Sequence, residues 1–222
     1  MLQGMENSSS QKGEAARKII DRDGKFVIIK DRNDMFREDD RISEKPAADM
    51  PGKEAQKMKK LYLIGGTMGV GKTTVCQILK QKLEQAVFLD GDWCWDAHPF
   101  QVNEETKAMV MDNICYLLNN FLSCSAYRNI IFCWVMHEQS IVDSILSRLC
   151  LEDCEVKNVS LICSREALSR RLEKDIRAGI RQRDVLERSV DRLKLYQTLN
   201  TVKVDVSEIS AEEAAEKIMG LG

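Results

Sequence analysis

The stretch of this sequence with the clearest chemical potential is rich in glycine and reads Gly66-Thr67-Met68-Gly69-Val70-Gly71-Lys72-Thr73. It matches the spacing G-x-x-x-x-G-K-T in full. A loop that binds phosphate needs glycines because its backbone N–H groups must wrap around the phosphate oxygens, in conformations that a Cβ atom would obstruct. The stretch therefore predicts a loop that binds the phosphates of a nucleoside triphosphate, which we expect to be ATP with Mg²⁺.

The residue types in this loop have separate predicted tasks. Lys72 is expected to reach the β- and γ-phosphates, and the hydroxyl of Thr73 is expected to ligate the metal ion Mg²⁺. The helix that follows adds its N-terminal N–H groups and its dipole, and Thr74 lies in its first turn. The predicted nucleotide contacts are Gly66, Thr67, Met68, Gly69, Val70, Gly71, Lys72, Thr73 and Thr74.

The segments on either side of the loop have the patterns needed to hold it. Leu61–Ile64 is a short apolar run typical of a buried parallel strand, and Thr74–Gln85 has the apolar spacing of a helix. Further strands are predicted at 86–89, 129–135, 156–163 and 201–206, and further helices at 104–124, 139–149, 165–199 with a break near Gly179, and 211–219. This alternation predicts an α/β fold with three layers, α/β/α, around a parallel five-stranded sheet.

Two carboxylates follow the second predicted strand, in the string Leu89-Asp90-Gly91-Asp92. Because the carboxyl ends of parallel strands form the ligand crevice, we expect both near the γ-phosphate and in contact with the substrate. We assign Asp92 to catalysis, as the group that orients an acceptor hydroxyl and takes its proton. Asp90 would assist it or support Mg²⁺ indirectly. The alternative interpretation is a turn with a capping aspartate.

Basic residues dominate the predicted helical segment 165–199. Arginine forks match phosphate oxygens bidentately and can neutralise the charge of a transferring phosphoryl group. A lid of this kind also expels water, which limits wasteful hydrolysis of ATP. The segment therefore predicts a short helical lid, and a solvated amphipathic helix with internal ion pairs is the alternative.

Taken together, these features resemble the small-molecule and nucleotide kinases of the P-loop class over roughly residues 60–220. The Leu-Asp-Gly-Asp string is similar to one in gluconate kinases and adenylylsulfate kinases. The run from Arg181 to Tyr196 is similar to the lid exit of adenylate-kinase-like enzymes. The fold implied is that of a P-loop NTPase.

The resemblance also implies roles for individual lid residues. Arg181 or Arg183, as catalytic groups, and Arg192, as a substrate-binding group, would contact transferred or acceptor phosphates. Arg171 would lie against the adenine, and the loop after Asp205 would border the base.

The predicted function is ATP-dependent transfer of the γ-phosphoryl group to a small hydroxyl- or phosphate-bearing metabolite, such as a nucleoside, a nucleotide or a sugar-like compound. Residues 93–103 contain no arginine, which favours a neutral hydroxyl compound or a nucleoside over a nucleoside monophosphate. The third predicted strand also lacks the aspartates with which motor ATPases hold Mg²⁺. The alternative is a regulatory ATP-binding protein, or an ATPase without a small-molecule acceptor.

The composition of the chain indicates which classes of partner it does not bind and in which cellular compartment it is expected. A net charge of -2 and a pI of about 5.9 give no field that would attract nucleic acid, so no nucleic-acid partner is expected. No apolar run reaches the length of about 18 residues that a membrane helix needs, so no membrane partner is expected either. The 8 cysteines form no C-x-x-C pair, and the N-terminus lacks the pattern of a signal peptide. Reduced thiols in a cytoplasmic protein are therefore expected.

The start of the chain differs from the rest. Residues 1–58 are dense in charges of both signs and sparse in apolar residues, which predicts a charged, largely flexible N-terminal extension. Within it, a helix is possible over Gly13–Ile20, and a strand is expected over Lys25–Lys30 after a turn. Residues 59–222 would form the kinase-like domain.

Overall fold

The computed structural model describes residues 17–20 and 26–29 as backbone, and residues 58–221 in full. The chain divides into two units, Met1–Glu54 and Ala55–Gly222. In the first unit, strand β1 (Arg17–Ile20) pairs antiparallel with strand β2 (Phe26–Ile29). The strand expected over Lys25–Lys30 is therefore confirmed at its centre.

The helix considered for Gly13–Ile20 is wrong over the residues of β1. Ile19 and Ile20 are β-branched, and β2 supplies backbone partners only a few residues away along the chain. The rest of the predicted flexible extension lies outside the described residues, so the domain boundary at residue 58 stays a prediction.

The second unit contains a parallel five-stranded sheet. Its strands are β3 (Lys59–Gly66), β4 (Ala86–Asp90), β5 (Asn129–Trp134), β6 (Cys154–Ile162) and β7 (Val202–Asp205). The spatial order is β4-β5-β3-β6-β7, and every neighbouring pair is parallel. Strand β3 is therefore central and buried on both faces, which explains its continuous apolar sequence.

Helices cover both faces of this sheet. They are α1 (Lys72–Lys82), α2 (Glu104–Ser123), α3 (Gln139–Leu146), α4 (Arg165–Arg177), α5 (Val185–Gln197) and α6 (Ala211–Met219). Successive residues of β3 point to opposite faces, so Tyr62 and Ile64 pack in the core with α1 and α6, while Leu61 and Leu63 pack with α2 and α3. The predicted three-layer α/β/α fold is confirmed.

The predicted lid segment forms two helices, α4 and α5, and the chain breaks between them around Gly179 as expected. A small apolar cluster of Leu168, Leu172 and Val185 joins the two helices, and Met68 of the glycine-rich loop packs against it. The lid is thus built directly onto the loop. No helix within residues 58–221 is both long and apolar enough to cross a membrane.

Candidate active site

The glycine-rich loop joins the carboxyl end of β3 to the first turn of α1, as its sequence predicts. Gly69 and Gly71 have φ angles of 81° and 108°, which side chains with a Cβ rarely adopt. The amino group of Lys72 donates to the carbonyl oxygens of Gly66 at 2.9 Å and Thr67 at 3.1 Å, so its side chain closes the loop on itself. Burial lowers the pKa of Lys72, although the carboxylates of Asp92 and Asp90 act in the opposite direction.

Beside the loop lies a cavity of about 440 Å³, within the size range of small-molecule sites. Its walls come from the loop and α1, the end of β4, the lid, and the loop after β7 that leads into α6. The lining residues are Met68, Gly69, Val70, Gly71, Lys72, Thr73, Thr74, Val75, Asp90, Asp92, Val135, Arg171, Lys174, Asp175, Arg181, Val206, Ile209, Ser210, Ala211 and Ala214.

Asp90 is fixed from two sides at the end of β4. The hydroxyl of Thr73 donates to its Oδ2 atom at 2.7 Å, and the backbone N–H of Asp92 donates to its Oδ1 atom at 3.1 Å. The second bond caps a short 3₁₀ turn, Gly91–Trp95, so the capping role considered for an aspartate here belongs to Asp90. A hydroxyl and a buried carboxylate in contact are hard oxygen donors of the kind that Mg²⁺ prefers, so this pair fits the expected metal.

Asp92 lies at the rim of the same cavity. The indole N–H of Trp134, at the end of β5, donates to its Oδ1 atom at 3.1 Å. Partial burial of this carboxyl group raises its pKa, and the negative charge of Asp90 raises it further. Lys72, the Trp134 hydrogen bond and Arg181 oppose this rise.

Two of the lid arginines singled out from the sequence line the cavity. Arg171 donates through Nη1 to the carbonyl oxygen of Val70 at 3.0 Å and through Nη2 to that of Val206, so it joins the phosphate loop to the loop after β7. Arg181 donates to Asp175 at 3.1 Å and faces the cavity from the lid.

The other predicted contacts lie elsewhere. Arg183 is exposed and Arg192 is half-buried, and neither is part of the cavity wall. Gly66 and Thr67 do not line the cavity either, and the buried hydroxyl of Thr67 donates to the carbonyl oxygen of Ser189 in α5 at 2.8 Å. Thr67 therefore ties the loop to the lid in this structure.

Sequence reasoning did not assign Lys174, Asp175 or Trp134 to the site. Lys174 and Asp175 lie one turn of α4 beyond Arg171, so the (i, i+3) and (i, i+4) spacing of a helix face could have pointed to them. Trp134 ends a parallel strand next to β4, which is the edge where ligands bind, but nothing in the sequence pairs it with Asp92.

Comparisons with known proteins agree with this architecture. A family model described as an AAA domain matches residues 63–191, more than half of the 222-residue chain. The comparison with curated proteins gives no significant match.

The fold is shared with solved structures of P-loop kinases and related proteins. A gluconokinase from Sinorhizobium meliloti is similar at a TM-score of 0.55 and 16% identity, and the match covers 73% of this chain and 90% of that one. A tunicamycin resistance protein from Deinococcus radiodurans gives a TM-score of 0.55 at 19% identity, covering 74% and 97%. The APS kinase of Mycobacterium tuberculosis, solved with AMPPNP and APS, gives 0.51 at 14% identity, covering 73% and 96%. At these identities the likeness establishes the fold.

Proposed function

This chain belongs to the AAA domain family, and from that premise we propose that it is an ATP-dependent phosphotransferase that moves the γ-phosphoryl group to a small hydroxyl-bearing metabolite. The observation that carries the proposal is the position of Asp92. Its carboxylate shares one cavity wall with Lys72 and Thr73 of the phosphate loop, and the lid cations Lys174 and Arg181 line the same cavity. Phosphoryl transfer needs this combination of a proton acceptor, a phosphate cradle and positive charge.

On the donor side, the N–H groups of the loop and the N-terminus of α1 would bind the phosphates of ATP. Lys72, which now bonds to loop carbonyls, would turn its amino group to the β- and γ-phosphates. Thr73 and Asp90 would hold Mg²⁺, which neutralises phosphate charge when it is bound. The adenine would lie between Arg171 and the wall formed by Val206 to Ala214.

On the acceptor side, Asp92 would accept the proton of the attacking hydroxyl. The hydroxyl oxygen forms the new bond to the γ-phosphorus, the bond from that phosphorus to the bridging oxygen breaks, and ADP leaves with the electron pair. Arg181 and Lys174 would offset the negative charge on the group in transfer.

Charge on the acceptor side favours an acceptor without phosphate. The cations between residues 86 and 148 are Lys107, Arg128 and Arg148. Lys107 pairs with Glu104 at 2.9 Å, and Arg148 pairs with Asp112. Arg128 directly precedes β5 at the amino ends of the parallel strands, whereas Asp92 follows the carboxyl end of β4. An anionic acceptor would therefore meet Asp90 and Asp92 with no cation from this part of the chain, which is unfavourable.

The test is ADP production by the purified protein with Mg²⁺ and ATP, across nucleosides, nucleoside monophosphates, sugars and amino alcohols. We expect a neutral hydroxyl compound to raise ADP production well above the rate without acceptor, and its phosphorylated counterpart to do so less. Asp92→Asn should lower that acceptor-dependent rate at least about 100-fold while ATP still binds, because general base catalysis contributes about 10²–10⁴.

Asp96→Asn is the matched control, because Asp96 ends the same 3₁₀ turn but does not line the cavity. It should leave the rate within about twofold, as surface changes usually do. Slow hydrolysis that no acceptor stimulates would refute the proposal and favour a regulatory ATP-binding protein or a plain ATPase.

A further inference from the structure

The end of helix α4 leads the chain back towards the cavity through a tight turn at Gly179. The N–H of Gly179 donates to the carbonyl oxygen of Ile176 at 3.0 Å, and the N–H of Ile180 donates to that of Asp175 at 2.9 Å. With a φ angle of 71° at Gly179, these two bonds form the Schellman motif that commonly ends a helix. The next residue, Arg181, is thereby brought back to Asp175, 6 positions earlier in the chain.

Asp175 is an unusual residue for its place in the helix. The C-terminal end of a helix dipole is partly negative, so the last turn disfavours a carboxylate and favours basic residues such as Lys174 and Arg177. A Schellman motif also commonly has an apolar contact across its turn, whereas Ile180 is 69% exposed here. The side chain of Asp175 pairs with Arg181 instead, and both line the cavity. A residue that goes against its local preference at a cavity wall indicates a functional reason for its presence.

The hydrogen bond between the two side chains uses one particular part of the guanidinium group. Nε of Arg181 donates to Oδ2 of Asp175 at 3.1 Å, and within residues 58–221 its Nη1 and Nη2 atoms donate to no other group. These two nitrogens form the fork that can bind two phosphate oxygens at once. In Arg171, one turn earlier, both Nη atoms already donate to backbone carbonyls. Arg181 therefore keeps its fork free while its Nε atom is held.

We propose that Asp175 is a positioning residue for the phosphoryl transfer, which holds Nε of Arg181 so that the Nη fork is presented to the γ-phosphoryl group. This inference rests on the proposed function, in which Arg181 offsets the charge on the group in transfer. The phosphate and Asp175 use different nitrogens, so both can bind the same guanidinium group. An arginine that is already held loses less conformational freedom when it binds phosphate, and it needs no reorganisation during the reaction.

The test is Asp175→Ala, which removes the carboxylate and keeps Arg181. The kcat for the acceptor-dependent reaction should fall about tenfold to 100-fold, because a misplacement of roughly 1 Å can cost that much. The KM for ATP should change less than about threefold, because the interaction that is lost is made mainly in the transition state. The free energy of unfolding should not fall, because alanine removes an unfavourable charge from the last turn of α4. A merely structural role would lower stability instead.

Three further variants separate the positioning of Arg181 from the general effect of losing an ion pair. Glu173→Ala breaks another pair of α4, with Arg177 at 3.3 Å and away from the cavity wall, and it should leave kcat within about twofold. In protein that already carries Arg181→Ala, Asp175→Ala should have no additional effect, because a residue that acts only through Arg181 has nothing left to position. Asp175→Glu keeps a carboxylate and should retain more activity than Asp175→Ala.

A binding measurement makes the test independent of turnover. The Kd for ADP with Mg²⁺ is measured with and without aluminium fluoride, which mimics the phosphoryl group in transfer and should tighten binding. Asp175→Ala should reduce this gain in affinity about tenfold and leave the Kd for ADP alone in place. If no acceptor stimulates turnover, the proposed function fails, while the gain still decides whether Asp175 positions Arg181. A gain that is equal in the unaltered protein and in Asp175→Ala would overturn the inference, and so would a kcat that Asp175→Ala leaves unchanged or raises.

Discussion

Gly69→Ala is expected to be a strongly destabilising small change in the phosphate loop. The φ angle of 81° at Gly69 is unfavourable for alanine, which costs about 1–2 kcal/mol. The new methyl group would also lie 2.4 Å from Cδ2 and 2.9 Å from Cγ of Leu172, a fully buried residue of α4. Overpacking of this kind adds about 1–3 kcal/mol. The expected total is a loss of roughly 2–5 kcal/mol in the free energy of unfolding.

Gly71→Ala is the matched control, because it makes the same change two residues later in the same loop. Gly71 has a more extreme φ angle of 108°, but no atom outside its neighbours lies within 4 Å of the position of a Cβ atom. Its stability cost should therefore be the backbone strain alone, about 1–3 kcal/mol. Because the backbone strain at Gly71 is at least as large as that at Gly69, any excess cost of Gly69→Ala over Gly71→Ala is a lower bound on the clash with Leu172.

The assay is urea unfolding of the full chain, followed by tryptophan fluorescence. All 3 tryptophans lie within the unit that carries the loop, at positions 93, 95 and 134, so the signal reports on that unit. The midpoint and the slope together give the free energy of unfolding. A cost for Gly69→Ala of no more than about 1–2 kcal/mol would refute the argument, since backbone strain alone would then explain it.

Two further outcomes are expected from the metal and phosphate ligands. Thr73→Val should remove the Mg²⁺-dependent part of ATP affinity, measured as Kd with and without Mg²⁺. Thr73→Ser should keep this dependence, because it keeps the hydroxyl group. Equal affinities of the two variants for ATP with Mg²⁺ would contradict the assignment of Thr73 as a metal ligand. ATP affinity should also fall at alkaline pH, because Lys72 must be protonated to bind phosphate and burial lowers its pKa from 10.5. Lys72→Arg should move that fall to higher pH, since guanidinium stays charged, and a profile identical to that of the unaltered protein would argue against Lys72 as the titrating group.

The parallel sheet could be predicted from sequence because its signals are local. Leu61–Ile64 is wholly apolar, and a parallel strand with helices on both faces must be so. The helical spacing after Thr74 and the break near Gly179 depend equally on neighbouring residues. By contrast, the strand β1 forms because it pairs with β2. The secondary structure of so short a segment depends on its pairing partner more than on the propensities of its own residues.

The contacts within the site could not be predicted in the same way, because they join distant segments. Asp90 and Asp92 could be placed by the rule that ligands bind at the carboxyl ends of parallel strands. The bond from Trp134 to Asp92 spans 42 positions, and it depends on the register of β4 against β5. Arg183 and Arg192 were assigned from the resemblance of their segment to the lid of adenylate-kinase-like enzymes, but Arg183 precedes α5, Arg192 lies within it, and neither lines the cavity. Which face of a lid helix meets the cavity is decided by the packing of Leu172 and Val185, which charge does not encode.

The basic residues of the lid divide into two groups by what their donors already bind. Arg171 uses Nη1 and Nη2 on the carbonyl oxygens of Val70 and Val206, so these donors are committed to joining two loops. A guanidinium held in this way presents its flat face rather than its N–H groups, which suits stacking on an adenine ring. Arg181, in contrast, is held by a single carboxylate, Asp175, within the lid itself. A phosphate group can bind Arg181 without breaking any contact between the lid and the loop, and we therefore expect Arg181 to be the lid arginine that follows the transferred group.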